Sequence, residues 1–230
     1  MLRENLEKVR ERMSGACLRS GRKFEDVVLV AVTKTVPAVS VLEAASIGIK
    51  HIGESRVQEA QEKFADIRPT PLAWHMIGHL QTNKVNRAVE LFDWIQSVDS
   101  VKLLEALDRG AGRLGKVQKC LAEVKLSDEP AKTGLPESEL EGFFESAQGC
   151  KNIQIGGIMM IAPFFNSMRD SRPFFSRARK IFERWFLEKS GMVSAGPAVL
   201  SMGMSADFEI AIEEGSTMVR IGSAIFGERG

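Results

Sequence analysis

LVAVTKTVP, residues 29–37, is an apolar run rich in β-branched residues that ends on Lys34, with Pro37 three positions later. Such a run reads as a buried strand, and a proline just beyond it marks where the strand stops. The turn that follows, TKTVPAVS, contains no glycine. A doubly wound open sheet commonly opens its first crossover with a glycine-rich turn. The stretch therefore points to the other architecture made of repeated strand–helix units, a closed barrel.

The rest of the chain repeats the unit. Strand-like runs follow at IKHIG (49–53), LAWHMIG (72–78), FDWIQSV (92–98), VQKCLAEV (117–124), IQIGGIMMI (153–161), PAVLSMG (197–203) and TMVRIGSAIF (217–226), after VVLVAVT at 27–33. Helical patterns separate them: SVLEAASIG, ESRVQEAQEKF, QTNKVNRAVE, SVKLLEALDRGAG, ESELEGFFESAQ, SRPFFSRARKIFERWFLEKSG and ADFEIAIEEG. Turn residues Gly48, Asp99, Pro136, Gly191 and Gly215 stand near the junctions. Ahead of the first strand, Leu2, Leu6, Val9 and Met13 recur at helical spacing among alternating charges, which predicts a surface helix. The expectation is a (β/α)8 barrel with an extra N-terminal helix, residues 1–230 forming one domain.

Composition narrows the function classes. Lys plus Arg number 31 against 30 Asp plus Glu, so a net charge of +1 provides no basic field for nucleic acid and no acidic tail. Cys17, Cys120 and Cys150 are widely spaced with no CxxC, against both a disulfide framework and a thiolate metal cluster, and in keeping with a reducing compartment. No signal-like apolar region and no run of 18 or more uncharged apolar residues occurs, so the expected location is cytoplasmic, without a membrane partner.

Three places carry candidate chemistry. Lys34 alternates with Val32, Val30 and Val28; if the valine face points into the barrel, the lysine emerges at the C-terminal mouth. A partly desolvated amine there can form a Schiff base with a carbonyl, although a strand-end lysine also reaches solvent readily. At the other end of the chain, LSMGMSADFEIAIEEGSTMVRIGSAIFG (200–227) holds two turns of small residues around a short helix. Barrels often bind phosphate between the loops after strands seven and eight. Ser201 and Ser205 offer hydroxyls, Gly203 allows close backbone approach, and Gly222 with Ser223 presents consecutive N–H groups; Ser205 also suits an N-cap. Arg220 shares a face with Met218 and Gly222, which aims a permanently charged, donor-only guanidinium at the same mouth. A rim salt bridge is the plainer use of that arginine.

Other features read more simply. His51, His75 and His79 lack a completing carboxylate or cysteine for a metal; His75 is a core histidine or lines the mouth. In FFSRARKIFERWF the aromatics form one helical stripe for packing and the basic residues a solvated face. Gly156 and Gly157 give backbone room near the mouth.

The segments LVAVTKTVP, IGESRVQEAQEK, WHMIGHLQTNK, IGGIMMI and LSMGMSADFEIAIEEGSTMVRIGSAIFG, with the KTG at Lys132 to Gly134, resemble the YggS/PROSC family of pyridoxal phosphate-binding proteins. The resemblance implies a barrel like the N-terminal domain of alanine racemase and pyridoxal 5'-phosphate as cofactor. It makes Lys34 the Schiff-base lysine, places Ser201, Gly203, Ser205, Gly222 and Ser223 in a phosphate cup, and sets Arg220 against the pyridine nitrogen. It further implies a role in vitamin B6 and amino-acid homeostasis, a monomer, and pyridoxal phosphate-dependent apoenzymes as recipients. One position departs: the family's GEN is here Gly53, Glu54, Ser55, which removes a side-chain amide near the ring.

A racemase needs two bases on opposite faces of the substrate carbon, a lysine and, in alanine racemase, a tyrosine from a second domain. This chain has no tyrosine and stops soon after the eighth strand. A binding and delivery role fits better than a single-domain amino-acid racemase, the alternative. A Schiff-base aldolase would want a second charged partner beside the lysine, and the first-strand position is unusual for it.

Overall fold

The computed structural model describes residues 1–67, 69–127, 133–163, 168–188 and 197–227. Eight parallel strands, β1 (Val28–Val32), β2 (His51–Glu54), β3 (Ala73–Met76), β4 (Trp94–Val98), β5 (Gln118–Glu123), β6 (Ile153–Met159), β7 (Val199–Ser201) and β8 (Met218–Ile221), close in chain order, with β1 paired to both β2 and β8. The crossovers are α2 (Ala38–Ser46), α3 (Val57–Ile67), α4 (Val85–Leu91), α5 (Val101–Arg113), α6 (Leu140–Gln148), α7 (Arg172–Phe182) and α8 (Phe208–Glu213). The expected N-terminal helix is α1 (Leu2–Arg19). It buries Leu6, Val9, Met13, Ala16 and Cys17 on one face, packs on α8, and pairs Arg12 with Glu209 and Arg19 with Glu213. No described helix is long and apolar enough to cross a membrane.

The strands are buried on both faces, which is why they read as continuous apolar runs rather than alternating ones. One face packs under the helices, with Ala31, Ile52, Trp74, Ile95, Ala122 and Ile158 in a single hydrophobic layer. The other, including Val30, Val32, Leu121, Met159 and Met218, is equally buried but separate from that layer, inside the barrel. Val30 lies in register between His51 and Arg220. The valine face is therefore the inner one.

Three expectations shift. The eighth strand ends at Ile221 rather than Phe226: Gly222 leaves the extended region (φ −117°, ψ −76°), and its carbonyl accepts from the N–H groups of Ile225 and Phe226 to start α9 (Ser223–Phe226). An apolar run of this kind gives no periodicity that separates strand from short helix. The sixth strand stops at Met159, and α7 passes into a π-helical turn, Glu183–Glu188. Lys132, Gly191 and the end of the long helical segment at 189–191 lie outside the described residues. The glycine doublet Gly156–Gly157 sits in a bulge, where Cys120 and Ala122 of β5 face Ile155 and Ile158 of β6, one extra residue on the β6 side. The room it leaves is filled. A Cβ on Gly156 would meet the Trp94 ring at 3.3 Å, and one on Gly157, φ +155°, would lie 1.8 Å from the Val199 carbonyl oxygen.

Candidate functional site

Lys34 sits in the turn after β1, exposed at the C-terminal mouth, above the inward-facing Val30 and Val32. The turn is tight: the Val36 N–H donates to the Thr33 carbonyl at 2.9 Å, and Thr35 has φ +61°, the one positive value among described non-glycine residues. Next to it lie Glu54 at the end of β2 and Glu59 and Lys63 of α3. Lys63 Nζ donates to the Thr33 carbonyl (2.7 Å), Glu59 Oε1 (2.9 Å) and Glu54 Oε1 (3.0 Å). Burial pushes the Glu54 carboxyl up despite its bonds to Thr33 and Lys63. Burial also acts to raise Glu59, but hydrogen bonds from Lys63 and the Thr35 N–H outweigh it and hold that carboxyl below its ordinary value.

The loops after β7 and β8 meet beside this turn because β8 pairs with β1. Ser205 Oγ accepts from the Gly222 N–H at 3.1 Å and the Ala224 N–H at 3.5 Å, so it bridges the two loops. It does not cap α8. That position belongs to Asp207, whose carboxylate accepts from the Met204 N–H at 2.7 Å. Gly203, φ +93°, holds the backbone where a Cβ would fall 2.5 Å from Ala211 Cβ and 2.9 Å from Phe208 Cα. Its carbonyl accepts from the Arg220 N–H, and Ser223 is exposed at the start of α9.

Ser201 stands deeper than the two loops. It is fully buried inside the barrel, where its hydroxyl donates to Gln96 Oε1 (2.7 Å) and accepts from an Arg220 guanidinium nitrogen (2.6 Å). Arg220, 3% exposed, also donates to the Met160 carbonyl at 2.8 Å. Burial pulls its pKa down to about 10, with Glu123 and Asp207 opposing the shift. The arginine is thus an interior cation, not a rim salt bridge.

From Gln96 the chain of bonds continues. Its amide nitrogen lies 2.9 Å from His75 Nδ1, and His75 Nε2 lies 3.0 Å from His51 Nδ1. Donor chemistry orients the whole row. Arg220 donates to Ser201, Ser201 to Gln96, Gln96 to His75, and His75, its proton on Nε2, to His51. Both imidazoles are then neutral. Burial pulls each below the ordinary histidine value, His75 the further, and each ring's surroundings match that assignment. His79 takes no part: β3 ends at Met76, and His79 faces Asp99 at 3.1 Å from a loop.

Sequence patterns pointed to Lys34, Arg220 and the two loops, but not to Gln96 or to the pairing of His51 with His75. The available signal was Gln96 itself, an amide in the middle of an apolar strand. Gln96→Leu removes the acceptor for the Ser201 hydroxyl proton and the donor to His75 Nδ1, so each of these buried groups loses one of its two hydrogen bonds. It is expected to lower stability by roughly 3 kcal/mol in guanidinium unfolding.

Across the barrel, Glu123 ends β5, four strands from β1. Its Oε1 accepts from the Thr133 hydroxyl at 2.9 Å, while its buried Oε2 has no partner among the described residues. Burial raises this carboxyl above its ordinary value. It lines a cavity of about 280 Å³ with Lys125, Thr133 and Ile161. Ser55, half exposed after β2, is crowded by the next loop, since a Cβ on Gly78 would lie 2.4 Å from the Ser55 carbonyl oxygen.

Barrel, strand-end lysine and paired loops together define a racemase-type barrel domain, and residues 1–230 match the family described as alanine racemase, N-terminal domain. An alanine racemase from Clostridium difficile shares the fold at 16% identity, with a TM-score of 0.73 over 99% of this chain and 56% of its own. Much more similar is PipY of Synechococcus elongatus, solved with PLP bound, at 37% identity, TM-score 0.85, 99% of this chain and 100% of that one. Curated relatives named pyridoxal phosphate homeostasis protein include one from Aquifex aeolicus, 38% identical over 98% of this chain and 97% of its own length. Another is human, 39% identical over 97% of this chain and 85% of its own length. The chain belongs to the pyridoxal phosphate homeostasis protein family.

Proposed function

We propose that this chain binds pyridoxal 5'-phosphate, with its aldehyde held as a Schiff base on Lys34 and its phosphate between the loops after β7 and β8. The supporting observation is the bridge from Ser205 to the Gly222 and Ala224 N–H groups, just beyond the end of β8, the strand paired with β1. The residues fit such a group. Gly203 lets the loop after β7 pack directly on α8, and Ser205 and the exposed Ser223 bring two hydroxyls to the same place. Ser201 serves from below, through its hydrogen bond from Arg220. When bound, the cofactor supplies an aldehyde conjugated to a pyridine ring. Arg220, a donor-only group set near the ring nitrogen, would keep that nitrogen unprotonated and so weaken the ring as an electron sink.

A damped ring and an exposed lysine suit a reservoir for vitamin B6 that serves pyridoxal phosphate-dependent apoenzymes, in the cytoplasm and as a monomer, without turnover of its own. The chain has no tyrosine to act opposite the lysine. A single-domain racemase is the alternative, and Glu123 favours it: a buried carboxyl with a raised pKa on the strand across from β1. Loaded protein that interconverts L- and D-alanine would replace the carrier reading. For the binding itself, the visible spectrum of the purified chain is taken before and after borohydride, followed by peptide mapping. A reduced adduct is expected on Lys34; one on any other lysine overturns the assignment.

A further inference from the structure

Both peptide groups that flank Lys34 are tied to ionisable side chains from the neighbouring strand–helix unit. Lys63 donates to the carbonyl of Thr33, and Glu59 accepts from the N–H of Thr35. An ammonium has three N–H donors, and Lys63 uses them on Thr33, Glu54 and Glu59. Glu54 in turn accepts from the Thr33 hydroxyl at 2.7 Å. The side chain of Lys63 is only 11% exposed and that of Glu54 1%, so these are not loosely solvated surface pairs.

Stability alone does not call for this arrangement. Buried ion pairs often gain little over apolar packing, and a β-branched residue in the left-handed region costs of order 1–3 kcal/mol. Thr35, at φ +61°, pays that cost directly after Lys34. Backbone strain of this kind persists only where its surroundings over-determine it, and here those surroundings are Glu59 and Lys63.

We propose that Glu54, Glu59 and Lys63 are positioning residues that fix the two peptide planes around Lys34, so that its amine meets the cofactor in one pose. The proposal rests on Lys34 as the cofactor lysine. Glu59 and Lys63, four apart on α3, present one face to the turn, and Glu54 reaches it from the end of the strand paired with β1. A rigid amine loses less freedom on capture than one on a loose loop.

Glu59→Gln and Lys63→Met test this, the first being the milder for folding, with circular dichroism to establish that each variant is folded. Without cofactor, amide hydrogen exchange is followed at Thr35 and Val36; with cofactor, the dissociation constant and the borohydride-fixed yield at Lys34 are measured. Expected are exchange faster by about tenfold and binding weaker by about tenfold in either variant. Thr35→Gly, which takes a positive φ freely, should recover part of that binding on the Glu59→Gln background. Exchange at the wild-type rate in both variants overturns the proposal, as does faster exchange with a dissociation constant within about twofold of wild type. If the wild type itself shows no reducible adduct on Lys34, the cofactor reading fails, and the exchange measurement alone decides whether the turn is clamped.

Discussion

Lys34→Ala is expected to abolish the borohydride-fixed adduct completely while leaving the chain folded. The two effects separate because of where the residue sits. Its side chain is exposed beyond β1, so truncation removes little packing and stability should change by no more than about 0.5 kcal/mol. The amine is nonetheless the group proposed to bond the aldehyde. Residual binding through the phosphate loops should persist, weakened and without the spectral change that accompanies bond formation. Thermal melts of the variant with and without pyridoxal phosphate, beside the reduced-peptide map, check both halves. A reducible adduct that survives in Lys34→Ala would move the chemistry to another lysine.

Gly157→Ala is expected to cost roughly 4 kcal/mol, combining backbone strain with overpacking. Gly157 pairs with Val199 across β6 and β7, and the added Cβ would fall 1.8 Å from a carbonyl oxygen of that strand, so main chain rather than a side-chain tip would have to move. Total stabilities of about 5–15 kcal/mol leave little reserve against such a loss. Guanidinium unfolding measures it. Gly156→Ala is the control, since its Cβ would press on the Trp94 ring at 3.3 Å, a contact a small ring shift relieves. Equal losses in the two variants would mean that the bulge does not depend on the conformation of Gly157.

The barrel was legible because its strands are apolar on both faces and its helices carry clear 3.6-residue periods. Junction residues such as Gly48 and Gly215 then cut the chain into units. The end of β8 was not legible: SAIF is as apolar as a strand, and only the Gly222 backbone and the hydrogen bonds on its carbonyl turn it into a helix. Lys34 and Arg220 could be placed by two-residue alternation, a local rule. Ser201 obeys the same rule, yet its depth in the barrel depends on strand tilt, which sequence does not carry. The cluster of Glu54, Glu59 and Lys63 was hidden for a different reason. Charged residues on α3 look like an ordinary solvated face, and nothing in TKTVP announces that Thr35 needs holding.

The row from Arg220 to His51 gives the barrel a built-in polarity. Every link is a dipole aligned the same way, so no single member reverses without leaving a neighbour mismatched, from His51 at the start of β2 to Arg220 on β8. The guanidinium is in this way aimed before any ligand arrives, by groups that themselves never reach the opening.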